Sequence, residues 1–216
     1  MTETLISSSW LRVDDTRVLD IDVRRWLAAA DEVDEALLDR VVGPVLDVGC
    51  GPGRMVRALR RRGIDALGVE IAPTAVAVAR RRGAPVVHCS IFECIPRRGE
   101  WGSALLLDGS AGIGGDPVAL LERVAELVGP RGLVFMEVEA PAVASEALTV
   151  RIETANGKGP WFPWAVVSIN DADALAAAAG FRITESWAHD ERWFVRMDRL
   201  HLSDARNAGT GERPPP

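Results

Sequence analysis

The chain has 216 residues, 48% hydrophobic and 26% charged, with a net charge of -6 at neutral pH, the make-up of an ordinary globular domain able to bury a substantial core. No stretch approaches the roughly 18 uninterrupted apolar residues of a membrane span, and Met1 to Trp10 lacks the basic-then-apolar layout of a secretion signal, so a cytosolic protein without a membrane partner is expected. The balance is acidic and the arginines are spread over helices rather than gathered into one stripe, which argues against nucleic acid as a partner.

In chain order, residues 1–30 read as a separate N-terminal cap over the sheet, and from about Asp31 helical and strand-like segments alternate. That alternation builds a parallel sheet covered by helices on both faces. The fold class expected is α/β: a Rossmann-like three-layer sandwich with a mostly parallel seven-stranded sheet, forming a single domain over residues 1–202. Pro44 to Val48 is the first strand, and Arg54 to Arg62 places Met55, Ala58 and Leu59 at helical spacing. Ala66 to Glu70 is the second strand, Pro73 to Arg82 a helix with proline in its first turn, and Pro85 to Cys89 the third strand. The arginine runs 60–62 and 80–82 close their helices just before Gly63 and Gly83, where positive charge suits the helix dipole.

Ser103 to Leu107 is a fourth strand, followed by a glycine-rich loop and a helix opened by Asp116 as cap and Pro117, running to Val128. The Gly129-Pro130-Arg131-Gly132 turn is expected to stop it before a fifth strand, Leu133 to Glu139. A last helix, Asp171 to Ala179, leads into an antiparallel hairpin of Phe181 to Ala188 and Arg192 to Met197. Leu148 to Ser168, with an Asn156-Gly157 turn, reads as an inserted β-hairpin, and residues 203–216, polar and ending in three prolines, as a disordered tail. Cys50, Cys89 and Cys94 have no pairing pattern and no zinc-finger spacing, so reduced thiols are expected.

The chemistry concentrates in Leu46-Asp47-Val48-Gly49-Cys50-Gly51-Pro52-Gly53, an apolar strand carrying an acid and running straight into three alternate glycines. Such glycines let the backbone approach a ligand closely at the carboxyl end of the first strand, where open α/β sheets bind. A dinucleotide fingerprint, Gly-x-Gly-x-x-Gly, needs a third glycine where this chain has Arg54, which disfavours a nicotinamide-dependent oxidoreductase. Glu70, 23 positions after Asp47 and at the end of the second strand, stands where a carboxylate can accept both hydroxyls of a ribose. Glu137 and Glu139 share one face of the fifth strand, but with no further acid following them no metal site is expected.

Strand, glycine loop, helix and strand-ending acid together resemble the class I S-adenosylmethionine (SAM)-dependent methyltransferases over roughly Val41 to Val138. The resemblance implies that Asp47, Gly49, Cys50 and Gly51 hold the methionine part of the cofactor, Glu70 and Ile71 its ribose side, and Ser90 and Ile91 its adenine. Ser90 stands where the family commonly has an acid, a departure at the adenine contact, and His88 is expected near the adenine edge. The post-strand loop Asp108-Gly109-Ser110-Ala111-Gly112-Ile113-Gly114-Gly115-Asp116-Pro117 lacks the motifs of nucleic-acid base methylation and looks most like that of a group of small bacterial methyltransferases. It implies cofactor contacts from Asp108 and Gly109, with Asp108 orienting the acceptor or acting as base. Trp161, Phe162 and Trp164 are expected to wall the acceptor pocket or else simply to pack the hairpin, and Trp26 either closes the cap over the cofactor or simply packs. The function implied is methyl transfer to a small-molecule acceptor, with a SAM-binding protein that transfers nothing as the alternative.

Overall fold

The computed structural model describes residues 9–19, 23–154 and 157–200; the tail from Ser203 and Asn156 of the expected hairpin turn lie outside the described residues. The chain enters as two short strands, β1 (Ser9–Arg12) and β2 (Val18–Leu19), and two short helices, α1 (Val23–Leu27) and α2 (Glu32–Leu38). Asp31 caps α2 reciprocally: its carboxylate accepts the Asp34 N–H while Asp34 accepts the N–H of Asp31. The body then runs β3 (Val45–Val48), α3 (Arg54–Arg61), β4 (Ala66–Glu70), α4 (Pro73–Arg81), β5 (Val86–His88), β6 (Trp101–Leu106), a 3-10 turn (Ser110–Gly115), α5 (Pro117–Leu127) and β7 (Val128–Val138). It ends with β8 (Glu146–Thr154), β9 (Gly157–Val166), α6 (Ile169–Ala178), β10 (Phe181–His189) and β11 (Arg192–Arg199). Among the described residues no helix is long and apolar enough to cross a membrane.

The main sheet has the order β10-β11-β7-β6-β3-β4-β5. Strands β3 to β7 are parallel, and β11 runs antiparallel to both β7 and β10. Because successive side chains alternate across a strand, Leu46, Leu106 and Met136 face the core on one side with Leu120 and Leu121 of α5. Val45, Leu105 and Phe135 face the other side with Leu37 of α2 and Leu59 of α3. Burial on both faces explains why these strands read as continuous apolar runs. The strand order reverses between β3 and β6, which opens a crevice at their carboxyl ends.

Two features differ from the sequence reading. Residues 129–132 are not a turn between helix and strand: β7 begins at Val128 and carries them as a bulge, its register against β6 stepping from Trp101↔Val128 to Ser103↔Leu133. Pro130 has no N–H to give to a ladder, so the strand swells around it. Nor is the N-terminal cap separate from the insertion. β1 pairs with β8 in the register Leu11↔Ile152, and the two segments form one antiparallel sheet of order β2-β1-β8-β9.

Candidate functional site

The turn from β3 into α3 places positive φ at Gly49 (69°), Gly51 (53°) and Gly53 (81°), a region that side chains avoid. The three glycines serve different ends. A Cβ on Gly53 would lie 2.6 Å from the Ala84 Cβ, so this residue supplies the tight packing that the absent third fingerprint glycine would have given. Over Gly51 nothing stands within 4 Å, and the loop there presents bare backbone to open space. Behind the loop lies Asp47, 3% exposed, with an Oδ2 that has no hydrogen-bond partner. Burial first, then the Asp108 and Glu70 carboxylates, push its pKa to about 8. A buried carboxylate oxygen left unanswered is costly until a donor reaches it, and a cationic donor relieves it most.

Glu70 is the opposite case. It accepts the N–H groups of Gly51 (2.9 Å) and Ala72 (2.7 Å), which pin it beside the loop, while burial raises its pKa. Ile71 next to it is 67% exposed, and His88 Nε2 lies 3.0 Å from the Ile71 carbonyl oxygen. On the β5 side the Ser90 Oγ accepts the Phe92 N–H at 3.3 Å and the Ser90 N–H is donated to Glu93 at 2.9 Å. Ile91 turns inward and is buried in the core, whereas Phe92 is exposed. Cys50 packs its buried sulfur on Gly68, where a Cβ would come within 2.3 Å, and burial holds its thiol well above the ordinary range; the Cys50 N–H goes to the Val69 carbonyl at 3.1 Å.

The far wall of the crevice is a group of ion pairs. Arg54, the first residue of α3 and 3% exposed, bridges Asp34 and Asp108, its Nη2 lying 2.5 Å from the Asp108 Oδ2. Arg192, opening β11, forks onto Glu137 at 2.8 and 2.9 Å and reaches Asp34 at 3.0 Å. Arg25 of α1 lies 3.0 Å from Asp108, 3.7 Å from Asp34 and 3.9 Å from Glu137. Glu137 also accepts the Asp108 N–H at 2.8 Å, and burial, reinforced by the Asp108 charge, raises its pKa against the pull of Arg25 and Arg54. Asp108 itself has φ of 54°, unusual for a residue with a side chain.

The loop after Asp108 joins these parts to the small sheet. A Cβ on Gly112 would lie 2.0 Å from the Ala165 carbonyl oxygen of β9, and one on Gly115 2.8 Å from Pro163. On the other side, Cβ atoms on Gly49 and Gly114 would meet Ile113 and Phe92, each at 2.9 Å. Glycine is what lets β9, the cofactor-type loop and the β5 side close on one another. Trp164 stands beside Gly109 and Gly112 and meets Phe162 edge-to-face at 6.1 Å. Strand alternation puts Trp161 on the other face of β9, where it is exposed and stacked under Arg151 at 4.6 Å.

The structure thus brings together Asp47, the glycine loop, Glu70, Asp108, Gly109 and Trp164. It does not bring Trp161 or the Ile91 side chain to them. Trp26 packs on Val78 of α4. The residues that sequence reasoning missed are Arg25, Asp34, Arg54 and Arg192. One signal for Arg54 was present: a basic residue in the first turn of a helix opposes the helix dipole, so a helix opening on arginine needs carboxylates from elsewhere.

Residues 22–186 match the family model described as Methyltransferase domain. No curated protein matches the chain by sequence. Among solved structures, the chain is similar to a SAM-dependent methyltransferase from Bacteroides fragilis in complex with S-adenosyl-L-homocysteine (19% identity, covering 90% of this chain and 88% of that one, TM-score 0.74). It is also similar to a SAM-bound amino pentose methyltransferase from Micromonospora echinaspora (18% identity, 85% and 99% covered, TM-score 0.60). A third is the 1,6-didemethyltoxoflavin-N1-methyltransferase of Burkholderia thailandensis (18% identity, 78% and 76% covered, TM-score 0.56). At these identities the likeness is one of fold.

Proposed function

Because the chain belongs to the methyltransferase-domain family, we propose that it is an enzyme that transfers the methyl group of SAM to a small-molecule acceptor. The observation that carries this reading is the open backbone over Gly51 flanked by two carboxylates, buried Asp47 with an unanswered oxygen and half-buried Glu70 pinned by two N–H groups. The residues present fit such a cofactor. Asp47 answers an ammonium, and each Glu70 oxygen, already accepting one N–H, keeps a lone pair for a ribose hydroxyl. Exposed Ile71 offers apolar cover beside Glu70, and Ser90, Ile91 and Gly109 line the neighbouring turns without supplying an acid.

Bound SAM supplies a methyl group on a sulfonium, ready for in-line displacement. The chain's part is placement. Asp108, at the end of β6, orients an acceptor group by accepting its hydrogen bond. Trp164, beside Gly109 and Gly112, and Phe162, edge-to-face on it, offer the acceptor an apolar wall, whereas Trp161 on the other face of β9 takes no part. A small acceptor is favoured by the acidic chain and by solved relatives whose names give an amino pentose or a toxoflavin precursor as acceptor.

Calorimetry with SAM, S-adenosylhomocysteine (SAH) and NAD tests the reading. SAM and SAH bind and NAD does not, and Glu70→Ala weakens SAM by about 1.5–3 kcal/mol, the range for losing a charge-assisted hydrogen bond. Binding of NAD alone, or an unchanged dissociation constant in the folded variant, overturns it.

A further inference from the structure

Resting on the SAM-binding reading, we propose that Arg54 is a positioning residue that fixes the Asp108 carboxylate beside the glycine loop by bridging it to Asp34. Arg54 breaks a local rule, since a guanidinium at the start of α3 faces the positive end of the helix dipole, and it does so while buried. Such a group persists only where carboxylates answer it. Both of its partners are unusual. Asp34 is 1% exposed and immobilised twice over, by the capping exchange with Asp31 and by Arg192 at 3.0 Å. Asp108 carries a left-handed backbone, and its N–H is donated to Glu137 at 2.8 Å. A planar fork held at one end by an anchored carboxylate dictates where the other carboxylate sits, which an ammonium on a flexible stem does not do.

The other cations near Asp108 hold it less firmly. Arg192 is 3.9 Å away and committed to Glu137, and Arg25 stands at 3.0 Å on a helix of five residues while dividing itself among four carboxylates. The Arg54 contact, at 2.5 Å, is the shortest that Asp108 makes. Asp108 is also close enough to Asp47 to raise its pKa, so the carboxylate held by Arg54 adds negative potential at the loop. Potential of that sign favours SAM, with a cationic sulfur, over SAH, which lacks only the methyl group and its charge.

The test is the ratio of SAH to SAM dissociation constants in wild type, Asp108→Asn, Arg54→Met, Arg54→Lys and the double variant Arg54→Met/Asp108→Asn, with Arg61→Ala on the exposed end of α3 as control. Wild type prefers SAM, and Asp108→Asn lowers that preference by about three- to tenfold, the size of a unit charge several ångströms away in a partly wet site. Arg54→Met lowers it too, by a smaller factor because the lost positive charge offsets part of the fall, and the double variant by no more than Asp108→Asn, because the arginine acts through the aspartate. The sign decides the matter: an arginine acting only as a charge would, when removed, raise the preference for the cation. Arg54→Lys keeps the charge but not the fork and loses preference too, so it carries the test alone if the methionine variant fails to fold. A rise in preference, a parallel loss of both ligands, additive effects in the double variant, or a wild type indifferent to the sulfonium overturns the proposal. A wild type that binds neither ligand overturns instead the reading of the site.

Discussion

At the scale of single residues, the two carboxylates beside one glycine loop, buried Asp47 and half-buried Glu70, have opposite fates. Glu70 is satisfied by backbone N–H groups and stays in place whether or not a ligand arrives. Asp47 has one oxygen without a partner and a pKa near 8, so at neutral pH it is mostly protonated in the ligand-free protein. If it receives the ammonium of the cofactor it must give up that proton, and binding then releases one. SAM affinity is therefore expected to rise between pH 6 and 7.5 by up to about tenfold per unit, and Asp47→Asn to flatten the profile. A flat profile in wild type removes Asp47 from the site. Asp47 and Glu70 were legible because each is announced by its neighbours in the chain. Arg25 and Arg192 were not, and Arg54 only as a helix opening on the wrong charge, since the partners of Arg54 and Arg192 lie 54 and 158 positions away.

At the scale of elements, the same substitution should have different consequences at two glycines. Gly112→Ala puts a methyl group 2.0 Å from the Ala165 carbonyl oxygen, so the loop after β6 and strand β9 must separate. Overpacking of this kind costs about 1–3 kcal/mol, a fall of roughly 3–10 °C in Tm for a chain of this size. Gly51→Ala meets nothing within 4 Å and costs only the strain of φ at 53°, about 1 kcal/mol; the protein folds, but the methyl group stands in the cradle and SAM binding is lost. Thermal melts read the first and calorimetry the second, and a Gly51→Ala variant that binds SAM normally would empty the loop of its role. Most of the elements could be read from apolar period and caps. The exceptions have physical reasons: the bulge in β7 imitates a turn because Gly and Pro mark both. The pairing of β1 with β8 joins segments 141 residues apart, as in the Arg12–Glu153 pair, through short strands without distinctive pattern.

At the scale of the whole molecule, the site is built at some expense to stability, and the expense depends on pH. Asp47 is raised to about 8 from an ordinary value of 3.8, and burial raises Glu137 as well. The folded state therefore holds protons that the unfolded chain has already released at pH 6. Stability falls as pH rises wherever the folded state binds more protons. Asp47 contributes to this loss across pH 6 to 8, with Glu137 acting in the same sense; above 8 the loss is complete. With screening and relaxation allowed for, the ligand-free protein should lose on the order of 1–3 kcal/mol across that window, about 3–10 °C in Tm. Saturating SAH should raise Tm at every pH and also shrink the slope, because an ammonium opposite Asp47 stabilises its charged form. Asp47→Asn should remove its own, larger part of the slope and leave the part due to Glu137. Melting curves at pH 6, 7 and 8, with and without SAH, decide among these outcomes. A Tm that stays level or rises over the window without ligand would mean that Asp47 is already ionised and answered from within the protein. A slope that SAH leaves untouched would mean that the ligand's ammonium goes elsewhere, and the carboxylate behind the loop would then be a structural burden rather than part of the binding site.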